Sequence, residues 1–411
     1  MVQVCFYFQM HQPRRLRPYN VFETSHDYFD EDANQKILAR VVQKCYLPAT
    51  RLILDLIKRH DGRFRVSYSI TGCLLDQLNT AAPEIIDLLG ELAQTGCVSF
   101  LGETYYHSLA WLYSRDEFIQ QVKLHSDAMM NLFGVKPNVF RNTELLYSNR
   151  LAADIKGLKQ FKGILTEGVQ RILKGRLPCD LYHAPGDEQM KLLLKNDALS
   201  DDVAFRFSDP SWEHFPLSVD KYVGWLKQID TQGFPGPAQE AAPDDLKLTP
   251  ASPKLCSLFL DYETFGEHQW AEKGIFDFLE NLPRAILNTE NNFVTVEEAI
   301  QSTQKTDVYD CPQVISWADE QRDASAWVGN EMQRSAIKAL YDLEQAVKAA
   351  DDADLLKVWR DLGTSDHFYY MCTKYFADGQ VHDYFSPYDT PYDAYINFMN
   401  VIEDLQGRLG C

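Results

Sequence analysis

The amino-acid sequence predicts an α/β fold of parallel strand–helix units, arranged as a barrel or as a doubly wound sheet. Short runs rich in apolar, β-branched and aromatic residues alternate with segments of helical periodicity over the first 260 residues, and strands separated by helices pair in parallel. Polar residues directly follow several of these runs. Because both kinds of sheet bind ligands at the carboxyl ends of their strands, we expect a site built from strand ends.

Seven segments have the composition of strands. The first of them stops at Pro13, which cannot donate to a strand ladder. Two further segments, residues 181–184 and 190–194, are weaker candidates and are set aside. The seven predicted strands are residues 2–8, 63–71, 97–101, 139–140, 161–166, 203–207 and 255–260.

Between the strands, apolar residues recur with helical spacing. Residues 34–60 predict two helices, with Pro48 in the first turn of the second. Ser114 and Glu117 have the spacing of a capping box. The helix that they open is expected to end at Gly134, since glycine favours the left-handed conformation at a helix end.

Past about residue 305 no segment is a convincing strand, so we divide the chain into a catalytic domain, residues 1–305, and a helical domain, residues 306–411. Aromatic residues between 382 and 395 are expected to pack between the two domains. Residues 228–254 are rich in Gly, Pro, Ala and Asp, which indicates a long loop, either a lid or a tolerated insertion. An amphipathic helix is predicted by five apolar residues at intervals of three and four: Met332, Ala336, Leu340, Leu343 and Val347.

The acidic balance of the chain restricts its partners. The 411 residues include 40 Lys and Arg against 59 Asp and Glu, a net charge of −19, which repels phosphate backbones and anionic lipid. We therefore expect neither nucleic acid nor membrane as a partner, while the oligomeric state stays open. Nine scattered cysteines without a Cys-x-x-Cys pair favour reduced thiols, and the N-terminus lacks the pattern of a signal peptide. We expect a cytoplasmic protein.

The predicted strand ends carry carboxylates, histidines and nearby tryptophans, but no dinucleotide, P-loop, serine-hydrolase or zincin motif. Glycoside hydrolysis needs one ionised carboxylate and one protonated carboxyl, with no metal. An aspartic acid stays protonated at neutral pH if its pKa rises by about three units, which a second carboxylate nearby and partial burial can supply. Aromatic faces suit the C–H faces of sugar rings. The strand-end residues that we single out are His11, Glu103, His107, Glu144 and Asp261.

Five short blocks, in this order, resemble the five blocks by which glycoside hydrolase family 57 is recognised. The first three are His-Gln-Pro at residues 11–13, Gly-Glu-Thr-Tyr-Tyr-His at 102–107 and Arg-Asn-Thr-Glu at 141–144. The fourth is Asp-Tyr-Glu-Thr-Phe-Gly at 261–266, and the fifth, at 294–298, is degenerate. A later segment is similar to the region that follows the barrel in amylase-type members, so the resemblance extends over nearly the whole chain.

The resemblance implies an incomplete (β/α)7 barrel followed by a helical C-terminal domain, and a retaining enzyme that acts on α-glucans without a cofactor. Glu144, in the third block, is the nucleophile that the resemblance implies, and Asp261, in the fourth, is the general acid/base. Arg141 is a departure, because many members have tryptophan there, which leaves the shape of the subsites open. The residues expected to bind substrate are His11, Glu103, His107, Arg141, Glu263, His268, Trp212 and Trp270.

The modest length of the chain favours the amylase-like members, and so an α-1,4-glucan hydrolase. A 4-α-glucanotransferase on the same site stays open, because the choice between water and sugar as acceptor depends on acceptor sites and water exclusion. A metal-dependent polysaccharide deacetylase and a non-catalytic glucan-binding protein are the remaining alternatives. The first of these would use His11, His107, Asp261 and His268 as zinc ligands.

Overall fold

Seven parallel strands form a nearly closed barrel in the computed structural model, which describes residues 1–232, 254–302, 306–374 and 386–410. An eighth strand, Tyr182–Ala184, pairs antiparallel with one of the seven and lies outside the barrel. The incomplete (β/α)7 barrel that the resemblance implied is thereby confirmed. In chain order the strands are β1 (Val2–Met10), β2 (Val66–Ile70), β3 (Val98–Phe100), β4 (Val139–Arg141), β5 (Gly163–Glu167), β6 (Tyr182–Ala184), β7 (Asp187–Lys195) and β8 (Lys254–Asp261).

Strand β1 is the centre of the sheet. Phe6 pairs with Val66 of β2 on one side and with Leu258 of β8 on the other. The ring continues from β8 to β7 through Ser257 and Lys195, and from β7 through β5 to β4. β1, β2 and β8 are almost wholly buried on both faces, as expected of parallel strands covered by helices.

The barrel has one incompletely paired seam, between β3 and β4. In the described residues these strands meet at a single bridge, Gly102 with Phe140. The N–H of Gly102 donates to the carbonyl of Val139 at 2.9 Å, and the N–H of Arg141 donates to the carbonyl of Gly102 at 2.8 Å. A Cβ at Gly102 would lie 2.6 Å from the Phe161 ring. Glycine at this position therefore leaves room for the Phe161 ring beside the seam.

The prediction of a strand at residues 203–207 is wrong. Those residues end a helix, Asp197–Ala204, and enter a turn. Asn196 caps this helix by accepting from the N–H of Leu199, and that local signal outweighs the alternating apolar pattern. The strand that takes this place in the barrel is β7, which includes the segment 190–194 that the sequence analysis set aside. Its polar first half pairs antiparallel with β6 and obscures the apolar run.

Helices cover the outside of the barrel and pack their apolar faces against it. Residues 34–60 form two helices as predicted, and a π-helical turn, Val42–Tyr46, joins them. Ser114 caps α6 and Gly134 ends it in the left-handed conformation, also as predicted. The first twelve helices are α1 (Glu31–Val41), α2 (Leu47–Arg59), α3 (Gly72–Ala81), α4 (Pro83–Gln94), α5 (Ala110–Tyr113), α6 (Arg115–Phe133), α7 (Asn149–Gly157), α8 (Gln170–Leu173), α9 (Asp197–Ala204), α10 (Val219–Gln232), α11 (Ile275–Leu287) and α12 (Val296–Ile300).

The C-terminal region is helical, as predicted, apart from one short strand, β10 (Asp307–Val308), which pairs with β6. Another strand of two residues, β9 (Asn292–Phe293), lies before this region and pairs with β1. The expectation of no strand after about residue 305 is therefore wrong at β10, which is too short to leave a pattern. The remaining helices are α13 (Ser325–Val328), α14 (Glu331–Asp342), α15 (Glu344–Ala349), α16 (Ala353–Leu362), α17 (Ser365–Tyr369) and α18 (Pro391–Leu409).

The predicted amphipathic helix is divided between α14 and α15, with Ala336, Leu340 and Val347 buried. Tyr388 and Tyr395 pack against an apolar cluster formed by residues of both the barrel part and the C-terminal helices. The earlier part of the aromatic stretch, residues 382–385, lies outside the described residues. The predicted 228–254 loop begins as the end of α10, and its residues 233–253 also lie outside the described part. Among the described helices, none is long and apolar enough to cross a membrane.

Candidate active site

The carboxyl ends of the barrel strands open into a cavity of about 620 Å³. Strands β1, β4 and β8 deliver His11, Glu144 and Asp261 to its wall, because parallel strands end on the same rim. The other predicted site residues on this wall are His107, Arg141, Glu263 and His268.

Glu144 lies in a tight turn directly after β4. The φ angles of Glu144 and Leu145 are 56° and 51°, a left-handed conformation that costs a non-glycine residue of the order of 1 kcal/mol. The N–H of Trp317 donates to the Glu144 carbonyl at 3.4 Å. The bridge between Tyr147 and Ile315 fastens the same two segments together. A segment from the C-terminal region thus holds the strained turn.

Three donors surround the Glu144 carboxylate. His107 Nε2 lies 3.0 Å from Oε1, the Trp317 indole N–H donates to Oε2 at 2.8 Å, and the Ser365 hydroxyl donates to Oε1 at 3.2 Å. Burial alone would raise the pKa of this carboxyl, but the hydrogen bond and charge of His107, with Arg141 and Trp317, lower the pKa below its ordinary value. Glu144 is therefore ionised, as an attacking carboxylate must be.

Asp261, at the end of β8, has the opposite surroundings. Within the described residues no donor is hydrogen-bonded to its carboxylate. Burial and then the charge of Glu144 raise the pKa of Asp261 to about 6, although Arg141 and Lys195 oppose the rise. A carboxyl with this pKa keeps its proton in mildly acidic solution and can donate it.

Glu103 lies behind His107 and does not line the cavity. Its side chain has no exposed surface, and its Oε2 is 3.6 Å from His107 Nδ1. Burial lowers the pKa of His107, as does His11, but the carboxylates of Glu103 and Glu144 on its two sides leave the pKa above the ordinary value. A ligand in the cavity would meet His107 before Glu103, and the contact of Glu103 with substrate stays a prediction.

His11 is paired in a similar way. Its Nε2 lies 2.9 Å from Asp366 Oδ2, and its Nδ1 lies 2.9 Å from Thr71 Oγ1. The ring stacks on that of His107 with centroids 4.1 Å apart and an interplanar angle of 30°. Burial opposes protonation, but Asp366 outweighs it and raises the pKa of His11. Two imidazoles, each beside a carboxylate, thus form one edge of the cavity.

Glu263 and His268 belong to the loop that follows Asp261. This loop is pressed against the π-helical turn after α1, and a Cβ at Gly266 (φ 109°) would lie 1.9 Å from the Lys44 carbonyl. The Tyr46 hydroxyl donates to Glu263. Burial and the charge of Asp261 raise the pKa of Glu263 to about 7, and burial lowers the pKa of His268 to about 4. Both are therefore close to neutral hydrogen-bonding groups near pH 6.

Arg141 is the last residue of β4 and lines the cavity. Its side chain is fully buried, and in the described residues its three nitrogens have no hydrogen-bonding partner. The guanidinium carbon lies 5.1 Å from the centroid of the Trp317 ring. Its charge lowers the pKa of both Glu144 and Asp261. The charge of Arg141 therefore favours the ionised form of both carboxyls.

Two predicted stacking residues lie away from the cavity wall. Trp212 packs against the apolar core between barrel and helices, with its ring 6.0 Å from that of Trp225. Trp270 is 54% exposed, and Lys44 Nζ lies 5.7 Å from the centroid of its ring. Both residues were chosen because they are close in sequence to predicted strand ends, but neither ring lines the cavity.

The structure adds residues that the sequence analysis did not single out. Trp317 and Ser365 donate to Glu144, and Asp366 pairs with His11. All three follow the barrel in sequence. The segment containing Trp317 carried part of the family resemblance, which was the available signal for it. The other two lie at the start of α17, where nothing in the local pattern distinguishes a helix start from a site.

One group of side chains could be considered for a metal ion. Ligand atoms of His11, His107 and Asp366 lie within 4.8 Å of one another. The His11 and His107 rings stack at an interplanar angle of 30°, and each already has a carboxylate partner, Asp366 for His11 and Glu144 for His107. The set proposed for a deacetylase also includes Asp261 and His268, which line the same cavity.

Comparison with known proteins is consistent with this geometry. Residues 5–312 match the family model described as glycosyl hydrolase family 57. A Methanocaldococcus jannaschii protein named "Putative alpha-amylase" is 39% identical over 418 residues, a match that covers 98% of this chain and 84% of that protein.

Two solved structures have a similar fold at low sequence identity. A GH57-type branching enzyme from Pyrococcus horikoshii superposes with a TM-score of 0.70 at 13% identity and covers 100% of this chain and 94% of its own. A 4-alpha-glucanotransferase from Thermococcus litoralis gives a TM-score of 0.58 at 15% identity over 97% of this chain. The chain spans 55% of the length of that second protein.

Proposed function

The chain belongs to glycosyl hydrolase family 57, and from that premise we propose that it hydrolyses α-1,4-linked glucans with retention of anomeric configuration, in the manner of an α-amylase. The names of the similar proteins, an amylase, a branching enzyme and a glucanotransferase, all support an α-glucan substrate. The observation that carries the proposal is the pair of carboxyls in one cavity with opposite shifts in pKa. Such divergence separates an acid from a nucleophile.

In the first step of the proposed reaction, Glu144 attacks the anomeric carbon while Asp261 donates its proton to the leaving oxygen. The product is a glycosyl ester of Glu144 and a free glucan. The donors on Glu144 hold the carboxylate in one orientation, and their bonds keep it ionised. Burial and the charge of Glu144 keep the proton on Asp261 until it is needed.

In the second step, Asp261 acts as a base. Once Glu144 is esterified, its negative charge is gone, and the pKa of Asp261 falls because that charge was one of the causes of the rise. The ionised Asp261 then takes a proton from water as the water attacks the anomeric carbon, and Glu144 leaves as a carboxylate. The same change of charge that ends the first step thus prepares the second.

The hydrogen-bonding groups of the cavity suit the hydroxyls of a neutral sugar. His11, Glu263 and His268 lie on the cavity wall together with the two carboxyls. Buried polar groups of this kind fix orientation through hydrogen bonds to hydroxyls. We assign these three residues to substrate binding, together with His107, whose Nε2 also contacts Glu144.

The decisive experiment is incubation with maltooligosaccharides, with the anomer first released followed by NMR. Release of the α-anomer is expected, and first release of the β-anomer would contradict double displacement. Glu144→Gln should lower kcat by roughly 10⁴-fold. The matched control is Glu272→Gln, which changes an exposed glutamate outside the cavity and should leave kcat unchanged. Equal activity of Glu144→Gln and the parent would mean that Glu144 is not the nucleophile.

The same assay separates the alternatives. Longer products formed at the expense of water addition would indicate a 4-α-glucanotransferase. A strong chelator should leave the rate unchanged, whereas loss of activity restored by zinc would favour the metal-dependent deacetylase. Binding of glucan without any product would indicate a non-catalytic binding protein.

A further inference from the structure

Phe205 presents an apolar ring on the wall of the active-site cavity. The side chain is 59% exposed and lies just past the end of α9. Among the described residues, no other exposed large hydrophobic side chain lines this cavity. Covering such a ring removes apolar surface from water, which is favourable. A ligand with an apolar face would therefore gain free energy at this place.

The backbone around Phe205 is held from two sides. Its N–H donates to the carbonyl of Asp201 at 2.9 Å, and the carbonyl of Ala204 accepts from Gln269 Nε2 at 2.7 Å. Phe207 is buried, with its ring 5.4 Å from that of Phe278. The backbone that carries the exposed ring is therefore held before a ligand arrives, which lowers the entropy cost of binding.

The bond to Gln269 also places Phe205 relative to the chemistry. Gln269 belongs to the loop that follows Asp261, so the ring is fastened to the part of the wall that carries the proton donor. The general acid faces the leaving oxygen, and the glucan beyond that oxygen lies on the same side. Phe205 is accordingly placed for the leaving group and not for the sugar that becomes attached to Glu144.

Charged side chains line the same cavity. Arg206, which follows Phe205 in the chain and is paired with Asp202, is one of them, and Asp201 and Arg322 are two others. An apolar ring in a cavity that also offers donors and acceptors matches a pyranose, which has an apolar C–H face and hydroxyls around its edge.

We propose that Phe205 is the stacking platform for the glucosyl unit on the leaving-group side, and that it also receives an acceptor glucan; this inference rests on the proposed function. In transfer, the 4-hydroxyl of the acceptor attacks the anomeric carbon of the glycosyl-enzyme and gives its proton to Asp261. The new glycosidic bond forms as the ester bond breaks, and Glu144 leaves as a carboxylate. No other reactant is required.

The test compares Phe205→Ala and Phe205→Tyr with the control Phe22→Ala. Phe22 is 91% exposed and does not line the cavity, so its removal changes an exposed ring without touching the site. For maltooligosaccharides, Phe205→Ala should raise KM by roughly five- to tenfold with a smaller change in kcat. It should also lower the ratio of transfer to hydrolysis with added maltose by a similar factor. Phe205→Tyr should restore both values.

A second measurement isolates binding. In a Glu144→Gln background, calorimetry with maltoheptaose should give a weaker Kd for the Phe205→Ala double variant and an unchanged Kd for the Phe22→Ala one. Active wild-type enzyme whose KM, transfer ratio and Kd are all unaffected by Phe205→Ala would overturn the platform and leave the proposed function intact. Wild-type enzyme that forms no product from any α-glucan would overturn both.

Discussion

Glu144 at the end of β4 and Asp261 at the end of β8 are the same chemical group on one rim, yet their surroundings differ in kind. Glu144 receives hydrogen bonds from a histidine, an indole and a hydroxyl. Asp261 has no such donor in the described part of the chain, and burial with a neighbouring negative charge raises its pKa to about 6. Donors stabilise an anion, while burial without donors stabilises the neutral acid.

The comparison teaches that the surroundings of each carboxyl, more than its residue type, determine its role. The donors of Glu144 can be removed one at a time, whereas the acidity of Asp261 depends on a charge that the reaction itself removes. Variants on the two sides should therefore change different limbs of the pH profile.

After Glu144→Gln, the largest effect is expected for Asp261→Asn, which removes the proton donor and keeps the shape. For maltooligosaccharides kcat should fall by roughly 10³-fold, within the usual contribution of general acid catalysis. An aryl maltoside with a nitrophenolate leaving group needs little protonation, so it should still give a burst of nitrophenol before slow turnover. Equal losses on both substrates would mean that Asp261 is not the acid.

The pH dependence of kcat/KM is expected to follow the two opposite shifts. Glu144 must be ionised, and its lowered pKa provides that form down to acidic pH. Asp261 must be protonated, and its pKa of about 6 means that this form is lost as pH rises through that value. From pH 6 to pH 8 kcat/KM should fall by roughly 50-fold, because half of Asp261 is already deprotonated at pH 6. In Asp261→Asn, assayed with the aryl maltoside, this alkaline limb should disappear; its persistence would assign it to another group.

Trp317→Phe removes one donor from Glu144 and keeps an aromatic ring. A hydrogen bond to a charged group contributes about 1.5–3 kcal/mol, so kcat/KM should fall by roughly 20-fold. The acid limb of the profile should move to higher pH, because the pKa of Glu144 rises when a donor is lost. Trp327→Phe is the matched control, since in the described residues that indole N–H has no acceptor. An unchanged acid limb in Trp317→Phe would remove the indole from this role.

The smallest effect is expected for Glu103→Gln, which changes the surroundings of Glu144 only through His107. Neutralising the buried carboxylate lowers the pKa of His107 and weakens its interaction with Glu144, so kcat should fall by roughly fivefold. KM should stay constant, because Glu103 does not line the cavity. A raised KM with constant kcat would instead support the direct substrate contact predicted from the sequence.

Much of the barrel could be predicted from the sequence because its central strands are buried on both faces and leave apolar runs, as at Val2–Met10 and Lys254–Asp261. β7 was missed because half of it is a polar hairpin strand, and residues 203–207 were misassigned because alternation in a short apolar run does not distinguish a strand from a capped helix end. The rule that parallel strands end on one rim also predicted that Glu144 and Asp261 lie close together, and both line the same cavity.

The rest of the site depends on contacts between segments that are distant in sequence. Trp270 follows β8 closely and Trp212 follows the segment that was wrongly predicted as a strand, and neither residue lines the cavity. Asp366 lies more than 350 residues from His11, with which it pairs at 2.9 Å. No local pattern encodes such a pair. The burial of individual side chains could not be predicted from the sequence either. The structure buries Glu103 behind His107, although the sequence analysis expected it to contact substrate.

The hydrogen bonds on Glu144 also set an order of events during synthesis of the chain. Its Trp317 and Ser365 donors are made by the ribosome long after β4 and even after β8. A nascent chain that ends before residue 317 contains both Glu144 and Asp261, yet Glu144 lacks two of its three donors. The surroundings of the proposed nucleophile are therefore completed only when the last quarter of the polypeptide has emerged and docked against the barrel rim.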